Sequence, residues 1–276
     1  MADWGRGEQN LYPVHTITAA AASDMSESIS IPTQGVWTAY TELIASTDAT
    51  IVAIDMFMFG DSSFNRVIAD LAVGSAGNEV PIIDRWFSSG GNEDTGHTLP
   101  NRVRVNIPTG SRISIRAKNF FGSSRALSYQ IVFYAGGAMA QQPAAQLTNL
   151  IAGDSSLPAV AFGSVASADT WSAWTEIIAS TPFNINGGFF CFGCNSTSLA
   201  SGTAHFLLQV AIGGAGNEEI IAGPIGARNS NQENPMIAFP LGLSIPAGTR
   251  ISARSQYGLA DASDSELIGT VMGYAA

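Results

Sequence analysis

Cys191 and Cys194 form the one Cys-x-x-Cys of the chain. Such spacing serves either a dithiol redox pair or half of a zinc site. Zinc needs two further ligands, and the chain offers no other cysteine and only His15, His97 and His205, far apart in sequence. Residues three apart on a strand also point to opposite faces. The pair reads as two ordinary thiols. No nucleophile elbow, phosphate-binding loop or His-Glu-x-x-His motif is present. Asn92, Glu93 and Asp94 could offer oxygens to calcium, as could the Asn/Glu-rich stretch 229–234, but neither has the alternating ligand spacing of a calcium loop. Both read as solvated turns. Asp84, Glu93 and Asp94 are carboxylates of the kind glycoside hydrolysis uses, yet nothing in their spacing pairs them. The residues therefore predict no catalytic group, no metal and no cofactor.

A different set of polar residues occurs twice. Residues 37–47, WTAYTELIAST, return as WSAWTEIIAST at 171–181; GSAGNE at 74–79 returns as GGAGNE at 213–218; and IPTGSRISIR at 107–116 returns as IPAGTRISAR at 245–254. Three blocks in one order, with an offset drifting only from 134 to 139, mean an internal duplication. Each copy then acts as a control for the other. The doubled polar residues are Glu42/Glu176, Glu79/Glu218, Arg112/Arg250 and Arg116/Arg254. Arginine suits bidentate carboxylate partnerships, and these eight residues predict a pair of structural ion-pair networks that pin the GxAGNE turn and orient its strands. The doubled aromatics Trp37/Trp171 and Tyr40/Trp174 could stack on sugars, although repeated aromatics more often pack sheets. Aligning Phe192-Gly193 with Phe59-Gly60 sets Cys191 opposite Met58 and Cys194 opposite Asp61, so neither cysteine nor any histidine is repeated.

The elements that carry these residues are strands. Val103, Val105 and Ile107 alternate with Arg102, Arg104 and Asn106, and Phe206, Leu208, Val210 and Ile212 share one strand face. The first copy divides into strands at about 27–31, 36–44, 51–59, 65–73, 79–85, 101–107, 111–118 and 127–135. Eight short strands per copy predict an all-β chain of two tandem antiparallel β-sandwiches of jelly-roll type. The expected organisation is a lead-in at 1–12, a first repeat at 13–136, a Gly/Ala/Gln/Pro-rich linker at 137–152 and a second repeat at 153–276. The linker stretch also reads as a connecting strand or arm.

The 276 residues suit two domains, each able to bury a core. Only 12% are charged, Lys118 is the sole lysine, and the net charge is −10. Such a chain repels phosphate backbones and anionic membranes, which argues against nucleic-acid partners. No apolar run reaches the roughly 20 residues of a membrane-spanning helix, and no signal peptide is visible. Charge depletion is also a mark of surfaces that meet other subunits.

The blocks W-x-x-x-x-E-[LI]-I-A-S-T, G-x-A-G-N-E and I-P-x-G-[ST]-R-I-S-x-R resemble a β-rich domain of structural proteins of tailed bacteriophages, and MADWGRGEQN is similar to the W-G-x-G-rich starts of some virion proteins. The resemblance implies a non-enzymatic virion component, such as a capsid decoration or a tail- or fibre-associated protein, assembled in the host cytoplasm. Its partners would be other virion proteins and further copies of itself. Three two-domain chains would make a ring with pseudo-sixfold character. The alternative reading is a tandem carbohydrate-binding module that recognises host-surface glycans.

Overall fold

The computed structural model describes residues 12–17, 27–60, 65–90, 102–120, 124–135, 146–151, 160–162, 169–194, 204–229, 237–257 and 267–275. Every regular element among them is a strand. The first repeat contributes β1 (Tyr12–Ile17), β2 (Glu27–Ile31), β3 (Thr41–Ile44), β4 (Ile51–Gly60), β5 (Asn65–Val73), β6 (Val80–Gly90), β7 (Arg102–Ile107), β8 (Ile113–Asn119) and β9 (Arg125–Ala135). The second contributes β10 (Leu147–Asn149), β11 (Val160–Phe162), β12 (Thr175–Ile178), β13 (Ile185–Cys194), β14 (Ala204–Ile212), β15 (Glu219–Asn229), β16 (Ile237–Ile245), β17 (Ile251–Tyr257) and β18 (Leu267–Ala275).

Pairing sorts each repeat into two antiparallel sheets. In the first, β2-β9-β4-β7 faces β3-β8-β5-β6; in the second, β11-β18-β13-β16 faces β12-β17-β14-β15. With eight strands counted from β2 or from β11, both orders are those of a jelly roll. Alternation explains the layers: Val103, Val105 and Ile107 of β7 are buried, while Arg102 and Arg104 are half-buried and Asn106 is exposed. The first core centres on Ile54, Ile83, Ile115, Tyr129 and Phe133, the second on Phe190, Phe192, Leu208, Ile251 and Val271. Each such side chain contributes roughly 1.5–3 kcal/mol by leaving water.

Two expectations shift. The stretch 36–44 is strand only over Thr41–Ile44. A strand throughout would send Trp37 and Tyr40 to opposite faces, whereas both rings lie over the Arg116 guanidinium. The register also corrects the alignment of the copies. Ile54 pairs with Phe133 as Gly188 pairs with Gly273, which sets Cys191 opposite Phe57 and Cys194 opposite Gly60.

The segment expected to be a linker contains β10, and this short strand belongs to both halves. It runs antiparallel to β18 through Leu147↔Tyr274 and parallel to β6 through Leu147↔Ile83 and Thr148↔Asp84. The resulting nine-stranded sheet runs continuously from β16 in the second domain to β3 in the first. Phe189, Cys191, Met272 and Tyr274, on the outer face of the second sandwich, join the first domain's core. Trp86 meets Phe189 edge-on at 6.1 Å, and the Arg104 N–H donates to Tyr274 Oη at 2.9 Å. Burial pushes the Tyr274 hydroxyl up to about 12.

Candidate functional site

The eight predicted network residues separate into two kinds of site. Six form matched triads. Arg112 donates to Glu42 at 2.7 Å, to Glu79 at 3.1 Å and to the Gly74 carbonyl at 3.1 Å. Arg250 repeats this with Glu176 at 3.0 Å, Glu218 at 3.2 Å and the Gly213 carbonyl at 3.1 Å. The second carboxylate oxygen caps the turn, accepting the Gly77 N–H at 2.9 Å in one copy and the Gly216 N–H at 3.0 Å in the other. Burial pushes the Glu79 carboxyl up, but its own N–H, Arg112 and the Gly77 N–H together outweigh that and hold it below its ordinary value.

Two glycines let the turn close. Gly74 and Gly213 have φ of 127° and 109°, and a Cβ at either would strike the carbonyl oxygen of Asn78 or Asn217. A doubled threonine, absent from the predicted network, fixes the neighbouring Pro-Gly turn. Thr47 Oγ1 donates to the Pro108 carbonyl and accepts the Ser111 N–H, as Thr181 does with Pro246 and Thr249. The last Thr of each AST block, in register with the turn, is its signal in the sequence.

Arg116 and Arg254 stand outside the triads. Arg116 lies four residues beyond Arg112, about 13 Å at roughly 3.3 Å per strand residue, and so meets different carboxylates. Arg116 instead pairs with Asp70 on β5 at 2.6 Å and lies over Trp37 at 4.4 Å and Tyr40 at 4.7 Å. Arg254 lies over Trp171 at 4.8 Å and Trp174 at 4.4 Å. All four predicted aromatics therefore converge on an arginine, and each gives a ring face to a cation rather than leaving both open.

The two clusters differ in charge. The first holds Arg116, the buried Asp70, and Lys118 at 5.9 Å from the Trp37 ring. Asp70 also accepts the Arg85 N–H at 2.7 Å. Burial pushes its carboxyl up, opposed by that N–H and by Arg116, and the net position is above the ordinary value. Burial, followed by the charge of Asp70, likewise raises the Tyr40 hydroxyl. In the second cluster Gln209 replaces Asp70 and Gln256 replaces Lys118. Arg254 donates to Gln209 Oε1 at 2.9 Å, and Gln256 Nε2 donates to the Asp169 carbonyl at 2.7 Å. One cation, two half-buried tryptophans and two amides make up this cluster. Asp70 carried a signal in the sequence, as an acid among the apolar residues of β5, and its counterpart Gln209 is likewise the one polar residue in the apolar run 206–212 of β14.

A further ion pair lies outside the predicted residues. Arg102 grips Asp55 through two bonds of 3.0 and 2.9 Å, and the Tyr134 hydroxyl donates to Asp55 at 2.8 Å. The bond to Asp55 holds the Arg102 guanidinium well above its ordinary value. The same strand position in the second domain is Phe189.

Cys191 is buried and unpaired, and burial raises its thiol far above the ordinary range. A thiol held protonated is a poor nucleophile. Among the described residues no group of three or more His, Cys, Asp or Glu is placed to hold a metal ion. Asn92, Glu93, Asp94, His97 and residues 230–234 lie outside the described residues, as do the side chains of His15, Cys194 and His205.

No protein-family model matches the chain, and no curated protein matches it. Among solved structures it is similar to the tandem CBM22-1–CBM22-2 domain of Xyn10C from Paenibacillus barcinonensis, at 10% identity and a TM-score of 0.30, over 100% of this chain and 96% of that one. It is also similar to PNGF-II, at 10% identity and a TM-score of 0.30, over 96% of this chain and 65% of that one. PNGase F, a glycosylasparaginase from Flavobacterium meningosepticum, aligns at 10% identity and a TM-score of 0.26, over 96% of this chain and 95% of that one. Likeness at this level transfers no residue and no activity.

Proposed function

We propose that the chain is a non-enzymatic structural component that works by protein–protein assembly, with the bacteriophage particle implied by its sequence blocks as the setting. The observation that carries this reading is β10, which extends a sheet of one jelly roll into a sheet of the next. Strand addition of this kind is a mode of subunit association, here enclosed within one chain. The doubled polar residues support it, because the triads brace turns and strands. The test is co-sedimentation of tagged chain with particles in a density gradient. Incorporation at a fixed copy number is expected, and a chain left at the top of the gradient overturns the reading.

A second reading, carbohydrate recognition, is favoured by one feature. The Trp171–Trp174–Arg254 cluster is flanked by the neutral amides Gln209 and Gln256, and aromatic rings with amides are groups that hold sugars. Glycan-array binding lost in folded Trp171→Ala and Trp174→Ala variants would support it; binding that survives both would dispose of it.

A further inference from the structure

The contact between the two domains is heterologous: it joins one surface of the first domain to a different surface of the second. Because the domains are copies, each surface has a counterpart that this contact leaves unused. On the donor side, β10 lies against the end of β18 as β1 lies against the end of β9, with Leu147↔Tyr274 matching Pro13↔Tyr134. Among the described strands, β1 ends its sheet with its outer edge unpaired. On the acceptor side, β10 pairs with β6 at Ile83 and Asp84; the same positions of β15 are Ala222 and Gly223, and β15 likewise ends its sheet.

Burial separates the used surface from the unused one. In the first domain the inward side chain of β7 at Val105 is sealed, with 5% exposure. Its counterpart on β16, Leu243, is 39% exposed, and Ile220 on β15 is 46% exposed where the matching Pro81 of β6 is half-buried. The second sandwich thus has an open end where the first is capped by its neighbour. The edge of β15 also fits the donor. Pro224 has no N–H, but its counterpart Arg85 spends its own N–H inward on Asp70, so strand pairing at this place does not use it.

We infer that β15 and β16 of one chain receive β1 and the outer face of β4 and β9 from a second copy, repeating between chains the contact that β10 makes within one. This rests on the assembly reading above and names its partner. The donor face carries Phe57, Val132 and Tyr134, all half-buried, where the intrachain contact uses Cys191, Met272 and Tyr274. Beside them Asp55 and Arg102 replace apolar groups with a satisfied ion pair. Such a face stays soluble before it docks, as an interface formed after folding requires. A head-to-tail contact has no dyad, so it yields a closed ring or an open filament according to its rotation.

The test uses two full-length variants, Leu243→Lys on the acceptor end and Val132→Lys on the donor face, with folding checked by circular dichroism. The wild type is expected to show a light-scattering mass above that of one chain, rising with concentration, and each variant alone the mass of one chain. An equimolar mixture retains one intact donor and one intact acceptor, and should give the mass of two chains and no more. A second measurement bears on the strand pairing itself: Pro13→Cys with Ala222→Cys in the same chain should give an intermolecular disulfide ladder that neither single variant gives. A wild type that stays one chain in mass up to its solubility limit overturns the inference, as does a mixture of variants that does not pair. A monomer that is still incorporated into particles would sink this contact alone. A chain that self-associates but is absent from particles would sink the assembly role in the particle and leave the contact standing.

Discussion

Asp70 accepts the N–H of Arg85 at 2.7 Å across a bulge between β5 and β6, and the second domain has Gln209 and Pro224 at the same two positions. The acid and its donor disappear together. With no N–H at residue 224, a carboxylate at 209 would be left with Arg254 alone, and the neutral amide avoids that burden. The prediction is unequal losses. Asp70→Ala leaves the half-buried Arg116 and the Arg85 N–H without their acceptor and should cost on the order of 3 kcal/mol. Gln209→Ala removes one bond to a neutral acceptor and should cost about 1 kcal/mol. Equal losses in urea unfolding would refute the asymmetry.

The same carboxyl sets a pH dependence. Because the folded-state position of Asp70 lies above the ordinary aspartate value of 3.8, the folded protein keeps a proton that the unfolded chain has released. Stability from this group therefore falls as pH rises from about 3.8 toward the raised value, by up to about 1.4 kcal/mol per pH unit. Glu79 acts oppositely: its position is lowered, so its contribution is present above 4.5 and is lost as pH falls below it. Thermal melts across acid pH should show a flatter decline on the upper side of this range in Asp70→Asn than in wild type. An unchanged profile would show that Asp70 does not titrate as described.

Gly74→Ala and Gly213→Ala should destabilise their turns equally. Each forces a side chain into a positive-φ position and against an asparagine carbonyl. The expected cost is roughly 1–3 kcal/mol for either. Alanine at Gly77, also at positive φ but with open space around its Cβ position, should cost less. Melting temperatures of the three variants decide the order.

Arg112→Lys and Arg250→Lys should lower the melting temperature although charge is kept. A single ammonium cannot span two carboxylates and a carbonyl in the directions the guanidinium serves. A lysine variant that melts with wild type would show that the triad acts by charge alone.

Cys191 should resist alkylation in the native protein and react after unfolding. It is buried and its thiol is held protonated. Mass spectrometry after iodoacetamide treatment, with and without urea, reads this directly; rapid native labelling of Cys191 would contradict its burial.

The triads were legible in the sequence because Glu42, Glu79 and Arg112 recur with Glu176, Glu218 and Arg250 in blocks of fixed order. Arg116 and Arg254 were legible as important but not in their role. Their partners Asp70 and Gln209 differ between copies, so repetition could not reveal them. Trp37 and Tyr40 came with a strand alternation that the fold does not follow, since both rings are drawn to one cation.

By itself the sequence determined the duplication, the all-β class and the turns, because alternation, glycine and proline act over a few residues and leave their mark in order along the chain. Only the tertiary structure decided how the halves meet. Whether Leu147–Asn149 hangs as a linker or joins two sheets depends on edges of β6 and β18 far away in sequence. An unpaired backbone edge has no residue code of its own. It exists only once the strands beside it are in place.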